Sequence, residues 1–231
     1  MATFVLVPGA WLGGWVWKKI TPTLEQKGHS VYPITLTGMG ERVHLASKDL
    51  GVETTIQDVL NVVKYNDLDD FVLVGHSFAG KVVAAVADRA PERVKIILYL
   101  DAFRPEKKVR TPQGSFDSRE FMEEGHADNW KIPLTEEILN NIGKDVQAAD
   151  RKWMLSKATP WPMKYATDPV TLSKNFDSLK SAYIFCTGGG DNVEEILKEK
   201  LDGPYKVIES GHFPMITRPD ELVEDMLILS R

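Results

Sequence analysis

Short apolar runs rich in β-branched residues alternate with stretches of helical spacing along this chain. That alternation narrows the fold more than any other feature. The runs are Thr3–Val7, Ser30–Leu36, Phe71–Val74, Val94–Leu100, Ala182–Cys186 and Tyr205–Ile208, and each reads as a strand. Between the first two, Trp15–Lys27 spaces Trp15, Ile20 and Leu24 as a helix would, with Gly28 behind it as a C-cap. Thr54–Val63 repeats the pattern with Ile56, Val59, Leu60 and Val63, Ala79–Ala90 stops before Pro91, and Glu221–Ser230 reads as a further helix. Strands alternating with helices imply βαβ units, hence an α/β fold with a mostly parallel sheet and helices on both faces. Strands this uniformly apolar fit a sheet buried on both sides.

The alternation fails between about Arg104 and Ser178. Helical pieces are present there (Ser118–Glu124, Thr135–Asn141, Ala148–Ser156), but no convincing strand. The stretch also gathers large side chains: Phe116, Phe121, Met122, Trp130, Trp153, Met154, Trp161, Met163 and Tyr165. We read residues 104–178 as a helical cap, and residues 1–103 and 179–231 as the core that carries it. A cap would lie over the C-terminal edge of the sheet, where open α/β sheets bind ligands. Trp130, Trp153 and Trp161 are then the expected walls of a substrate pocket. The plain alternative is a second small helical core with no ligand.

Composition sets the outer limits. A chain of 231 residues, 43% apolar and 26% charged, can bury a core without disulfide or metal staples. With 28 basic and 33 acidic side chains the formal net charge is −5, so no general attraction to nucleic acid or anionic lipid is expected. A single cysteine, Cys186, excludes an intramolecular disulfide and any multi-cysteine metal site. It also fits a reducing compartment, and a cytoplasmic location is the expectation. No run of about 18 apolar residues is present to span a membrane. The apolar run at the N-terminus has no basic residue before it and breaks at Pro8-Gly9, so it is not read as an export signal. Oligomeric state is not legible, a homodimer included.

The chemistry concentrates in Val72-Leu73-Val74-Gly75-His76-Ser77-Phe78-Ala79-Gly80. A strand runs into a sharp turn and then into a helix, with Ser77 at the turn and small residues, Gly75 and Ala79, two positions to either side. Such a turn lifts a serine hydroxyl above the sheet as a nucleophile, and the helix that follows aims its amide end at the site. The usual pattern is G-x-S-x-G; here Ala79 holds the last place, with Gly80 one later. The alternative for Ser77 is an ordinary helix N-cap.

A serine needs a base. Of the five histidines, His212, in Glu209-Ser210-Gly211-His212-Phe213 after the last strand, is placed to reach over Ser77. His76 should point away from Ser77, His29 and His44 look like surface or loop residues, and His126 falls in the cap. The oxyanion donors are expected to be the backbone N–H groups of Phe78 and, from the loop after the first strand, Ala10, because Pro8 has none to give. Two aspartates compete as the third member. Asp101 ends the apolar strand beside the serine strand, and Asp191 lies in the glycine-rich loop Thr187-Gly188-Gly189-Gly190-Asp191. Asp101 is favoured, since a buried carboxylate at a strand end needs a partner and His212 would be one.

The opening Phe4-Val5-Leu6-Val7-Pro8-Gly9-Ala10-Trp11-Leu12-Gly13-Gly14-Trp15, the turn at Ser77 and the pair Gly211-His212 resemble the α/β-hydrolase superfamily. Within it they resemble the branch of small esterases related to methyl salicylate esterase and hydroxynitrile lyases. The resemblance implies an α/β-hydrolase fold with a helical cap, a Ser-His-acid triad, no metal and no cofactor. It also implies a small-molecule ester substrate. Many members have His where this chain has Pro8. The lyases of the branch carry a lysine after the histidine and a threonine in the first oxyanion loop, where this chain has Phe213 and Gly9. Both differences favour ester hydrolysis over cyanohydrin cleavage, and Ser77 and His212 argue against a receptor role, because pure binding needs neither.

Overall fold

Along each central strand, side chains alternate between two faces, and both faces are apolar. Val5, Val7, Phe71, Leu73, Ile97 and Tyr99 go to one buried group; Phe4, Leu6, Val72, Val74, Leu98 and Leu100 go to the other. A sheet patterned this way must be covered on both sides, which selects a three-layer sandwich. The computed structural model describes residues 1–102, 104–105, 130–188, 193, 197 and 201–231.

Six strands build the sheet: β1 (Thr3–Val7), β2 (Ser30–Pro33), β3 (Phe71–His76), β4 (Val94–Leu100), β7 (Ser181–Gly188) and β8 (Tyr205–Gly211). Their order is β2-β1-β3-β4-β7-β8, and every pairing is parallel. On the face of Leu73 and Tyr99 lie α2 (Val52–Tyr65) and α3 (Ala79–Arg89), through Ile56, Val59, Val82 and Val83. On the other face, Val16, Trp17 and Leu24 meet Leu222 and Met226 of α7 (Pro219–Leu229).

Three local expectations are corrected. Trp15–Lys27 is not one helix but a 3-10 segment, Gly14–Lys19, followed by α1, Thr21–Gln26. Pro22 lacks an N–H and crowds the preceding turn, so the chain breaks at Ile20. The second strand ends at Pro33 rather than Leu36. Alternate residues carry its ladder to β1, from Ser30 N on Ala2 O (3.0 Å) to Ile34 N on Leu6 O (2.9 Å), and Pro33, on this edge strand, sits where its missing N–H faces away from β1. Within residues 104–178, where no strand was expected, two short ones pair antiparallel: β5 (Lys131–Ile132) and β6 (Trp161–Pro162).

Three helices occupy the same stretch: α4 (Glu136–Ile142), α5 (Ala148–Lys157) and α6 (Met163–Thr167). Thr135 caps α4 by accepting from Ile138 N (3.2 Å). The stretch packs on both apolar groups, with Ile132, Trp161 and Tyr165 in one and Leu139, Val146 and Met154 in the other. The expected helix Ser118–Glu124, with Phe116, Phe121, Met122 and His126, lies outside the described residues. Among the described residues no helix is long and apolar enough to cross a membrane.

Candidate active site

Strand order fixes where a site can form. β1 leads to β2 on one side, β3 leads to β4 on the other, and β1 and β3 are neighbours. Connections that leave in opposite directions open a crevice at the strands' C-terminal ends. The loop Pro8-Gly9-Ala10-Trp11 leaves β1 there, and Ser77 leaves β3.

Ser77 has φ +56°, the left-handed region, which marks a strained turn. The strain is possible because β3 and α3 approach closely. A side chain on Gly75 would put Cβ 2.5 Å from Val83 Cγ2 and 3.0 Å from the Ala79 carbonyl. Ser77 N donates to Leu100 O (3.1 Å), so its own amide is held by the sheet. The next amide, that of Phe78, has no acceptor among the described residues, and neither has that of Ala10. These are the two N–H groups the sequence names as oxyanion donors. The loop that carries Ala10 lies against the serine, since a Cβ on Gly9 would stand 3.0 Å from Ser77 Cβ. Trp11 also has a left-handed backbone, φ +66°. It is held there by its indole N–H donating to Ile132 O (2.9 Å) and its carbonyl accepting from Thr159 N (3.0 Å).

Asp101 and His212 meet. Asp101 follows β4 with φ +42°, its N–H on Ile184 O (2.7 Å) and its side chain buried. Oδ1 accepts from Cys186 N (3.0 Å), and Oδ2 accepts from His212 Nδ1 (2.5 Å). Asp191, the alternative acid, lies outside the described residues.

β8 runs to Gly211, three residues past the end read from the sequence, so His212 stands directly at a strand end. Its N–H donates to Ile142 O (2.8 Å), and its carbonyl accepts from His76 Nε2 (2.8 Å). That bond makes Nε2 the protonated nitrogen of His76. Nδ1 is left buried, with no partner among the described residues. Burial, then the neighbouring His212 ring 4.6 Å away, holds the His76 pKa well below the usual histidine range. His76 is therefore a neutral prop beneath His212. Sequence reasoning missed that part, although a histidine on the alternate face of a buried strand was the available signal.

The three tryptophans separate. Trp161 lies beside both loops that carry the expected oxyanion donors, 5.8 Å from Trp11 and 5.0 Å from Phe78 between ring centroids. Trp153 packs edge-on against Trp15 (5.1 Å), in the apolar group on the other face of the sheet. Trp130 is half-buried just before β5, its carbonyl accepting from Met163 N (2.9 Å). His29 accepts from Ala2 N (3.1 Å) at the start of β1, and His44 is exposed in the 3-10 segment Gly40–Leu45.

The chain is similar to known proteins over nearly its whole length. Residues 4–225 match the alpha/beta hydrolase family. The chain is 32% identical to the carbendazim hydrolyzing esterase of Nocardioides sp. (strain SG-4G), over 99% of this chain and 100% of that protein. It is 26% identical to salicylic acid-binding protein 2 of Nicotiana tabacum, over 97% of this chain and 95% of that one. Among solved structures, an extracellular alpha/beta-hydrolase from a Paenibacillus species superposes with a TM-score of 0.83 and 26% identity, covering 100% of both chains. With nearly its whole length matched, this chain belongs to the alpha/beta hydrolase family.

Proposed function

We propose that this protein is a serine carboxylic-ester hydrolase acting on a small, mostly apolar ester through Ser77, His212 and Asp101. The observation that carries the reading is the His212 Nδ1–Asp101 Oδ2 bond, set at the sheet edge from which Ser77 rises. With Nδ1–H held by a carboxylate, the lone pair of His212 is on Nε2, the nitrogen that takes the Ser77 proton. Ser77 Oγ attacks the ester carbonyl, and the amides of Ala10 and Phe78 bind the oxyanion. His212 then passes the proton to the leaving alkoxide. Water, activated by the same imidazole, hydrolyses the acyl-enzyme and restores Ser77. Residues 1–103 and 179–231 are the catalytic core in this reading, and 104–178 form the cap, with Trp161 the wall nearest the chemistry.

Relatives named as esterases support the hydrolytic reading. So does Phe213, which occupies the place of the lysine in the related lyases. It is 1% exposed and packed among apolar residues, so it offers no cation to a leaving cyanide. The test is a panel of p-nitrophenyl and methyl esters of graded size, with mandelonitrile cleavage run in parallel. Fluorophosphonate is expected to add once, at Ser77. Ser77→Ala is expected to lose turnover by about 10⁴-fold or more, since the three residues act as a unit. Ester turnover unchanged in Ser77→Ala, or mandelonitrile cleaved faster than any ester, overturns the reading.

A further inference from the structure

The turn that presents His212 is held from outside the core, by the stretch between β4 and β7. Asp145 sits between α4 and α5. Its Oδ2 accepts from Gly211 N (2.9 Å) and from Ser210 Oγ (3.1 Å), the two residues before His212. Three residues earlier, the Ile142 carbonyl accepts from His212 N (2.8 Å). Each main-chain N–H from Gly211 to His212 is therefore on an acceptor from this one turn. Contact is close enough to exclude a side chain: a Cβ on Gly211 would collide with Asp145 Oδ1 and stand 3.0 Å from Ile142 O.

The turn itself is braced. Arg151 of α5 donates to Gly143 O (3.1 Å) and Asn140 Oδ1 (2.9 Å), while Leu139, Val146 and Met154 bury their side chains beneath it.

A carboxylate is a costly way to anchor a loop. Asp145 is half-buried, no cation pairs with it among the described residues, and its Oδ1 is buried without a hydrogen-bond partner. What its acceptor oxygen provides is a directed grip on the backbone next to a base whose ring must satisfy two partners at once. Misplacement of a catalytic group by about 1 Å can cost on the order of 10²-fold in rate.

We propose that Asp145 is a positioning residue for His212. It fixes the Ser210-Gly211-His212 turn so that the imidazole keeps Nδ1–H on Asp101 and turns Nε2 to Ser77. The inference rests on the catalytic reading above. It makes the cap part of the catalytic alignment as well as a cover for the site.

Asp145→Ala tests it on a p-nitrophenyl ester. The expected result is a kcat lowered about 10- to 100-fold with KM changed less than about 3-fold. Asp145→Asn, whose amide oxygen still accepts from Gly211 N–H, is expected to recover most of the rate. If Asp145→Ala does not fold, Asp145→Ser carries the same test, because its short hydroxyl does not reach Gly211. A second readout needs no turnover. In ¹⁵N-histidine NMR, with His212 assigned through His212→Gln, the single Nδ1–H tautomer of the wild type is expected to become a mixture in Asp145→Ala. A kcat retained within 2-fold, a loss that Asn does not rescue, or an unchanged tautomer overturns the inference. Turnover that survives Ser77→Ala removes the catalytic reading instead, and the tautomer measurement still decides whether Asp145 holds His212.

Discussion

Replacing Asp101 by Asn separates charge and tautomer from shape. The side chain is buried, and each carboxylate oxygen has one partner, Cys186 N on Oδ1 and His212 Nδ1 on Oδ2. An asparagine of the same outline must choose which partner faces its NH₂. Turned toward Cys186 N–H, the NH₂ would set two buried donors against each other, at a cost of about 1–3 kcal/mol. The amide therefore keeps its oxygen on Cys186 and presents NH₂ to His212. His212 Nδ1 must then accept, which moves the imidazole proton to Nε2, the nitrogen that should receive the Ser77 proton. Loss of the tautomer and of the charge facing the imidazolium is worth about 10⁴-fold in kcat, or roughly 5.4 kcal/mol of barrier. The fold should survive, because volume is kept and both hydrogen bonds remain, the one to His212 reversed in direction. The assay is kcat on a p-nitrophenyl ester beside a thermal melt. A kcat within tenfold of wild type in a folded Asp101→Asn refutes the reasoning, and collapse in Asp191→Asn instead moves the role to that residue.

Gly75→Ala should lower the melting temperature and the turnover together. Its methyl meets the stiff Val83 side chain at 2.5 Å, and overpacking of this kind costs about 1–3 kcal/mol; an unchanged melt argues against the close strand–helix approach. His76 makes stability fall in acid. The folded protein keeps it neutral with a lowered pKa, while the unfolded chain protonates it near the ordinary value of about 6.5. Its contribution is therefore full above about pH 6.5 and declines below it, by at most about 1.4 kcal/mol per pH unit for one proton. Melts at pH 7.5 and 5.5 should differ more in wild type than in His76→Gln, and equal differences would discard the assignment. Trp161→Ala should reorder the preferred esters, whereas Trp153→Ala, on the other face of the sheet, should lower the melt and leave the order alone. Reordering by Trp153→Ala and not by Trp161→Ala would place the pocket elsewhere.

The core was legible in the sequence because its strands are buried on both faces and interrupted by helices of clear spacing. Phe71–Val74 and Val94–Leu100 admit little else. Ser77 was legible because a strained turn tolerates only small neighbours, here Gly75 and Ala79. The boundary at Ile20 was misread where Pro22 overrode the apolar pattern, and the second strand was read too far because Ile34 and Leu36 stay buried after its ladder ends. The pair β5 and β6 was invisible, since two residues per strand carry no period and their stability comes from Trp11 and Trp161. Asp101 could be ranked ahead of Asp191 from its strand alone, but its pairing with His212 joins positions 111 residues apart that only the sheet order brings together. His76 and Asp145 escaped for the same reason. Each acts on the backbone around His212, and spacing says nothing about which carbonyl or amide a distant side chain will meet.

Those backbone contacts change how cap substitutions should be read. The stretch between β4 and β7 meets the site at two places. Ile132 O and Thr159 N hold Trp11, one residue beyond the Ala10 amide, and Ile142 O and Asp145 hold Gly211 and His212. The loop that carries the Ala10 amide and the turn that carries His212 are thus both referenced to this stretch, while Ser77 and Asp101 are referenced to the sheet through Leu100 O and Ile184 O. In the proposed mechanism, alignment of the four depends on this stretch and the core keeping one relative position. A cap substitution that alters only the apolar wall, such as one at Trp161, should move KM and substrate order. One that alters an anchor, such as Asp145, should move kcat for every ester alike. The two kinds of effect are separable by measuring kcat and KM for at least two esters of different size in each variant.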